Sequence, residues 1–167
     1  MGVSSAGKTT VGKSLAKALF GDFVDGDDLH SGAARAKMRS GQALTDKDRW
    51  PWLDRVGAAL AEGLEAGRPP VLACSALKRA YRDRIRAAAG PRLTLVYLAA
   101  DREAMRQRVG ERKDHYMPAS LVDSQFAALE PPRDEPGVIE VSADAKLDAM
   151  IPLLVGRLAG PAHREEP

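Results

Sequence analysis

The chain has little cysteine, little histidine and no long hydrophobic run. Cys74 is its only cysteine. No internal disulfide can form, which fits a reducing cytoplasm. His115 has no second His, Cys or Glu at ligand spacing, which argues against a zinc site. No apolar run is long enough to span a membrane, and no signal peptide is legible. The formal charge of +2 is too small to argue for nucleic acid or a membrane surface. Basic residues are spread over several elements without aromatic interleaving, which also argues against nucleic acid. The Met-Gly start does not read as a myristoylation signal, because that pattern wants Ser or Thr where Ala6 stands. No internal repeat is found.

What is present is an ordinary globular composition, 44% hydrophobic and 29% charged, long enough for a sizeable core. Residues 1–159 read as a single domain and residues 160–167 as a polar, frayed tail. Helical and strand patterns alternate, which predicts an α/β fold with a mostly parallel sheet. Helices are expected over 9–20, 33–38, 46–66, 78–89, 101–112 and 119–129, with a last one on the stripe Leu147, Met150, Ile151, Leu154, Val155 and Leu158. Strands are expected at 23–25, 70–74, 93–98 and 138–141. Ligands of such sheets bind beyond the carboxyl ends of the strands. The segments 25–30, 75–82 and 99–101 are therefore the places to look.

Gly2-Val3-Ser4-Ser5-Ala6-Gly7-Lys8-Thr9 fits G-x-x-x-x-G-K-[ST] at every required position. Glycines let the backbone turn its N–H groups inward on phosphates. Lys8 reaches the β- and γ-phosphates, and the Thr9 hydroxyl can ligate Mg²⁺. Gly2, Ser4, Ser5, Ala6, Gly7, Lys8, Thr9 and Thr10 form the expected ATP contact. The following helix adds its positive end. This motif normally follows a buried strand, and here only Met1 precedes it.

Asp25-Gly26-Asp27-Asp28 follows a strand directly. One carboxylate there can orient Mg²⁺ and another can take a proton from an attacking hydroxyl; the alternative is a solvated acidic turn. Lys78 and Arg82 lie one helical turn apart after a strand, an arrangement that suits a carboxylate substrate. Arg49 reads either as a substrate contact or as an ion pair with Asp46 or Asp48. Trp50 and Trp52 read as packing. Arg108 and Arg112 share i, i+4 spacing ahead of a helix break, as in a lid that closes on transferring phosphate, about residues 108–125. His30 could hydrogen-bond a polyol or cap a helix, and Cys74 reads as an inert core thiol.

These segments resemble the gluconate kinase family. The matching stretches are GVSSAGKTTVGKSLA (2–16), DGDDLH (25–30), AKMRSGQALTDKDRWPWL (36–53), CSALKRAYRD (74–83) and HYMPASLVDSQFAALEPP (115–132). The resemblance implies a phosphate-loop kinase fold like that of shikimate and nucleoside monophosphate kinases, with a lid. It implies transfer of the ATP γ-phosphate to D-gluconate, with Mg²⁺, in a cytoplasmic protein that forms a homodimer. Carried over, Asp25 would sit in the metal's outer shell. Asp27 would position the sugar-acid 6-hydroxyl and stand as its candidate base. Arg49, Lys78 and Arg82 would grip gluconate, with His30, Lys37 and His115 among the substrate contacts. Arg108 and Arg112 would close over the γ-phosphate. Residues 131–138 would flank adenine, and Gln125 lies in the matching SQ block.

Three departures stand out. The family usually shows glycine at Ser5 and serine at Ala6, which matters if residue 5 needs a positive φ. It usually shows Pro and Asn in the segment that here reads His30-Ser31-Gly32-Ala33-Ala34-Arg35, so a contact near Ala34 is missing. The strand before the loop would lie between strands 70–74 and 93–98, and its absence predicts a poorly stable chain or one that extends upstream. Two rivals remain: another small-molecule kinase on this fold, and a nucleotide-binding module without turnover.

Overall fold

The computed structural model describes residues 1–40, 42–111 and 119–160. Helix α1 (Lys8–Ala18) follows the loop and buries Val11, Leu15 and Ala16 along one side. Strand β1 (Asp22–Asp25) leads into a 3₁₀ turn, Gly26–Leu29. Helix α2 (Gly32–Arg39) starts at Ser31, whose hydroxyl accepts from the Ala34 N–H at 3.1 Å. Helix α3 (Asp46–Glu65) starts with a capping box between Thr45 and Asp48, and tolerates Pro51 in its opening turns. Strand β2 (Pro70–Ala73) and helix α4 (Arg79–Ala89) follow. Strand β3 (Leu95–Ala99) leads to helix α5 (Arg102–Glu111), where the Asp101 carboxylate accepts from the Ala104 N–H at 3.0 Å. Helix α6 (Ala119–Ala128), strand β4 (Val138–Ser142) and helix α7 (Leu147–Leu158) complete the order.

The chain is an α/β protein with parallel strand pairs. β1 pairs with β2 in the register Phe23↔Val71, and β3 pairs with β4 in the register Val96↔Ile139. Among the described residues no strand joins β2 to β3. Their upper ends are linked through the N-terminus: the Met1 ammonium donates to the Val96 carbonyl at 2.5 Å, the Leu98 N–H to Met1 at 3.0 Å, and the Gly2 N–H to Ser75 at 3.2 Å. Below Met1 lies an apolar slot of about 510 Å³, lined by Val11, Leu15, Val56, Leu60, Val71 and Val96 among others. Burial there lowers the Met1 ammonium pKa to about 5, with Lys8 adding repulsion.

Two apolar clusters flank the slot. One gathers Val3, Leu15, Leu98, Met105, Val122 and Leu154; the other gathers Trp52, Leu53, Val56, Tyr81 and Ile85. Each fully buried large side chain contributes roughly 1.5–3 kcal/mol. Two stripe assignments fail at their ends. Ala18 is exposed on α1, and Leu147 is 36% exposed on α7. Both sit where a helix terminus projects past the layer it covers.

Candidate active site

The phosphate loop is shaped by its backbone. Gly7 caps α1 at φ +89°, and Ser5 takes φ +64°. A non-glycine residue pays roughly 1–2 kcal/mol for that left-handed conformation. Gly2 is held close to β3, where an added Cβ would lie 2.9 Å from the Leu98 carbonyl oxygen. Lys8 folds back so that Nζ donates to the Val3 carbonyl at 2.9 Å. Burial lowers its pKa, and Asp27 and Asp25 oppose that shift. The Ser4 N–H donates to Oε1 of Gln125 at 2.6 Å, which ties α6 to the lip of the loop.

The acidic turn stands directly against the loop. Thr9 Oγ1 donates to Asp25 Oδ2 at 3.1 Å, while Asp25 Oδ1 accepts from the Asp27 N–H at 3.1 Å. A hydroxyl and a carboxylate side by side are hard oxygen donors, suited to a divalent cation that arrives with phosphates and keeps several waters. Gly26 cannot be replaced easily, since a Cβ would fall 2.5 Å from the Ala73 carbonyl oxygen. The Gly26 carbonyl accepts from Trp52 Nε1 at 2.7 Å, so a buried indole fixes the turn from below. His30 stacks on Trp52 with ring centroids 4.3 Å apart and an interplanar angle of 12°. It is 5% exposed, and its Nδ1 has no partner among the described residues. Burial lowers its pKa; Asp27 opposes this, and Arg49, Arg55 and Arg35 add to it. Neutral His30 can thus donate or accept toward the cleft.

Asp27 lies within electrostatic reach of both Lys8 and His30. The far end of the cleft carries cations. Arg49 lies with its guanidinium carbon 5.9 Å from the Tyr81 ring centroid, and Lys78 Nζ lies 5.4 Å from the same centroid. Lys78 Nζ is also 2.9 Å from both oxygens of Asp46. Among the described residues, Arg49 has no carboxylate within ion-pair distance.

The chain is similar to known proteins over most of its length. Residues 1–132 match the family model described as an AAA domain. A probable gluconokinase of Schizosaccharomyces pombe is 45% identical over 150 residues, covering 86% of this chain and 78% of that one. A gluconokinase of Gluconobacter oxydans is 44% identical over 155 residues, covering 93% and 86%. The solved gluconokinase of Sinorhizobium meliloti 1021 superposes with a TM-score of 0.83 at 40% identity, covering 95% of this chain and 89% of that one.

The chain belongs to the gluconokinase family.

Within this gluconokinase-family chain, not every expected residue faces the cleft. Arg82 is the clear correction. It is fully buried, at 0% exposure. Its Nη1 donates to the carbonyls of Ala76 at 3.0 Å and Leu77 at 2.9 Å, and its Nε lies 3.0 Å from both oxygens of Glu135. Each of the three guanidinium nitrogens has a protein partner, so the group is engaged by the fold. Its work is to hold the turn after β2, where Ala76 takes φ +43° and Lys78 is presented. It also fastens the 131–138 loop through Glu135. Arg82, then Arg86, hold the Glu135 carboxyl down to about 2. Lys37 is engaged too, at 2.7 Å from Asp48 in the capping box of α3. Arg108 pairs with Asp144 at 2.5 Å, so it bridges α5 to the turn after β4. Arg106, still well exposed, pairs with Asp123 at 2.7 Å and joins α5 to α6. Arg112 and His115 lie outside the described residues, as do most of the expected lid break and the tail beyond residue 160.

From the sequence Asp46 was a candidate partner of Arg49, not of Lys78, and Tyr81 and Glu135 were missed. Tyr81 lies within the CSALKRAYRD stretch, but nothing in its spacing signals that two cations would converge on it. Asp46 and Glu135 are distant in sequence from the residues they hold.

Proposed function

We propose that this chain transfers the γ-phosphate of ATP to the 6-hydroxyl of D-gluconate, giving ADP and 6-phospho-D-gluconate. The observation that carries this reading is the acidic turn set against the phosphate loop, where Asp25 meets Thr9 and Asp27 lies within electrostatic reach of both Lys8 and His30. A hydroxyl placed beside Asp27 would meet the terminal phosphate held at Lys8. The substrate oxygen attacks the γ-phosphorus, the bond from that phosphorus to the β-phosphate oxygen breaks, and the hydroxyl proton passes to Asp27. Lys8 and the inward N–H groups of the loop offset charge on the phosphates. Thr9 and Asp25 would hold Mg²⁺, which would offset the negative charge of the phosphates. His30, with its free Nδ1, is placed for a substrate hydroxyl. Arg49 and Lys78 are placed for the carboxylate. Arg108 and Arg112 belong to the phosphate end in this reading, as the family resemblance implies. A cytoplasmic homodimer completes it, and sedimentation of the purified protein checks the dimer.

The test is ADP release from Mg²⁺-ATP with and without D-gluconate, with shikimate and AMP as comparison acceptors. Gluconate-dependent release supports the reading. Release driven by shikimate or AMP alone contradicts it.

A further inference from the structure

We propose that Tyr81 is the positioning residue of the sugar-acid end of the cleft, holding Lys78 and Arg49 in place for an acceptor's carboxylate. The inference rests on the reading of this cleft as a sugar-acid kinase site.

Tyr81 is 4% exposed and lies in the first turn of α4. Its ring stands edge-on to Trp50, with centroids 5.5 Å apart and planes at 82°, so the phenol cannot swing away. Its hydroxyl donates to Asp46 Oδ1 at 2.5 Å. Burial and that hydrogen bond raise the phenol's pKa, so it remains a donor. Asp46 in turn holds Lys78 through both oxygens, at 2.9 Å each. The hydrogen bonds from Tyr81 and Lys78 lower the Asp46 pKa, so Asp46 stays ionised. Lys78 and Arg49 come from different helix ends, and each lies within cation–π range of this one ring. Tyr81 therefore touches every charged member of the group.

Lys78 and Arg49 are cationic and Asp46 is anionic, so this group of three is net positive, while nearby Arg84 is paired with Asp54 at 2.6 Å. A neutral polyol leaves that positive charge unmatched. The group should thus favour an acid over the sugar alcohol of the same length.

The experiment is steady-state kinetics of the wild type, Tyr81→Phe and Asp46→Asn with D-gluconate, D-glucarate and D-sorbitol, alongside KM for ATP and thermal melting. Tyr81→Phe keeps the ring and loses only the hydroxyl. Its KM for gluconate should rise roughly tenfold, since the lost bond is to a charged group. Its kcat, its KM for ATP and its melting point should move little. Asp46→Asn should shift relative kcat/KM from gluconate toward glucarate. An unchanged gluconate KM in Tyr81→Phe would overturn the proposal. So would equal losses toward gluconate and ATP together with a lower melting point, the mark of a purely structural tyrosine. Wild-type turnover of sorbitol as readily as gluconate would overturn the charge argument. Turnover of a different monocarboxylate polyol, with gluconate inert, would sink the proposed substrate and keep this inference.

Discussion

At the phosphate end of the cleft the main chain is arranged for binding: residues 2–9 turn on Gly2, Ser5 and Gly7 at positive φ, and Lys8 lies folded over them. At the sugar-acid end the equipment is side chains, and most are already engaged. Lys78 is held by Asp46, Lys37 by Asp48 and Arg82 by Glu135. Arg49 alone among these four cations has no carboxylate partner among the described residues. The difference shows that a backbone site can be judged from local residue types, whereas a cation's role depends on which anion the fold brings to it. A charge in a motif is available to a ligand only if the chain has not used it.

The largest expected effect separates two arginines. Arg82→Ala leaves Glu135, whose side chain is 5% exposed, short of its main partner. It should cost roughly 3–5 kcal/mol in denaturant unfolding. Arg49→Ala should leave stability within about 0.5 kcal/mol and raise the gluconate KM instead. The reverse pattern would return Arg82 to the substrate site. Next, Lys8→Ala should lower kcat by roughly 10²–10³-fold with little effect on gluconate KM, as for loss of a preorganised charge-stabilising donor. Equal activity would detach the loop from the chemistry.

The upper end of the sheet, joined through Met1 and Gly2, also contrasts with the open slot beneath. Prefixing several apolar residues to Met1 should raise solubility and the melting midpoint, because an extended strand can pair with both exposed edges. Similar values for the two proteins would contradict that account. Ser5→Gly should then stabilise by roughly 1 kcal/mol by relieving the φ of +64°. No gain would mean that the loop carries no strain at this position. A further effect concerns pH. Glu135 drops from its ordinary 4.5 to about 2 in the fold. Its contribution is present above 4.5 and is lost as pH falls from there through about 2. Glu135→Gln should flatten that part of the stability profile.

Much of this was legible in the sequence. The phosphate loop, the acidic turn and the α/β alternation follow from short-range spacing, and each helix and strand appears within a few residues of its expected span. Asp25 and Thr9 are brought together as a loop followed by a strand-end carboxylate would require. The cationic end was less legible. Arg82 and Lys78 look alike at i, i+4. Their fates are decided by Glu135, 53 residues from Arg82, and by Asp46, 32 residues from Lys78. Such pairings depend on which loops the sheet brings together. Helical spacing says nothing about them.

The most direct test of the account is ADP release by the purified protein with Mg²⁺-ATP, comparing D-gluconate with shikimate and AMP. The account expects release that depends on gluconate and is abolished by Asp27→Asn. Release independent of gluconate, or unaffected by that substitution, would contradict the assignment of Asp27 as the group between phosphate and sugar acid.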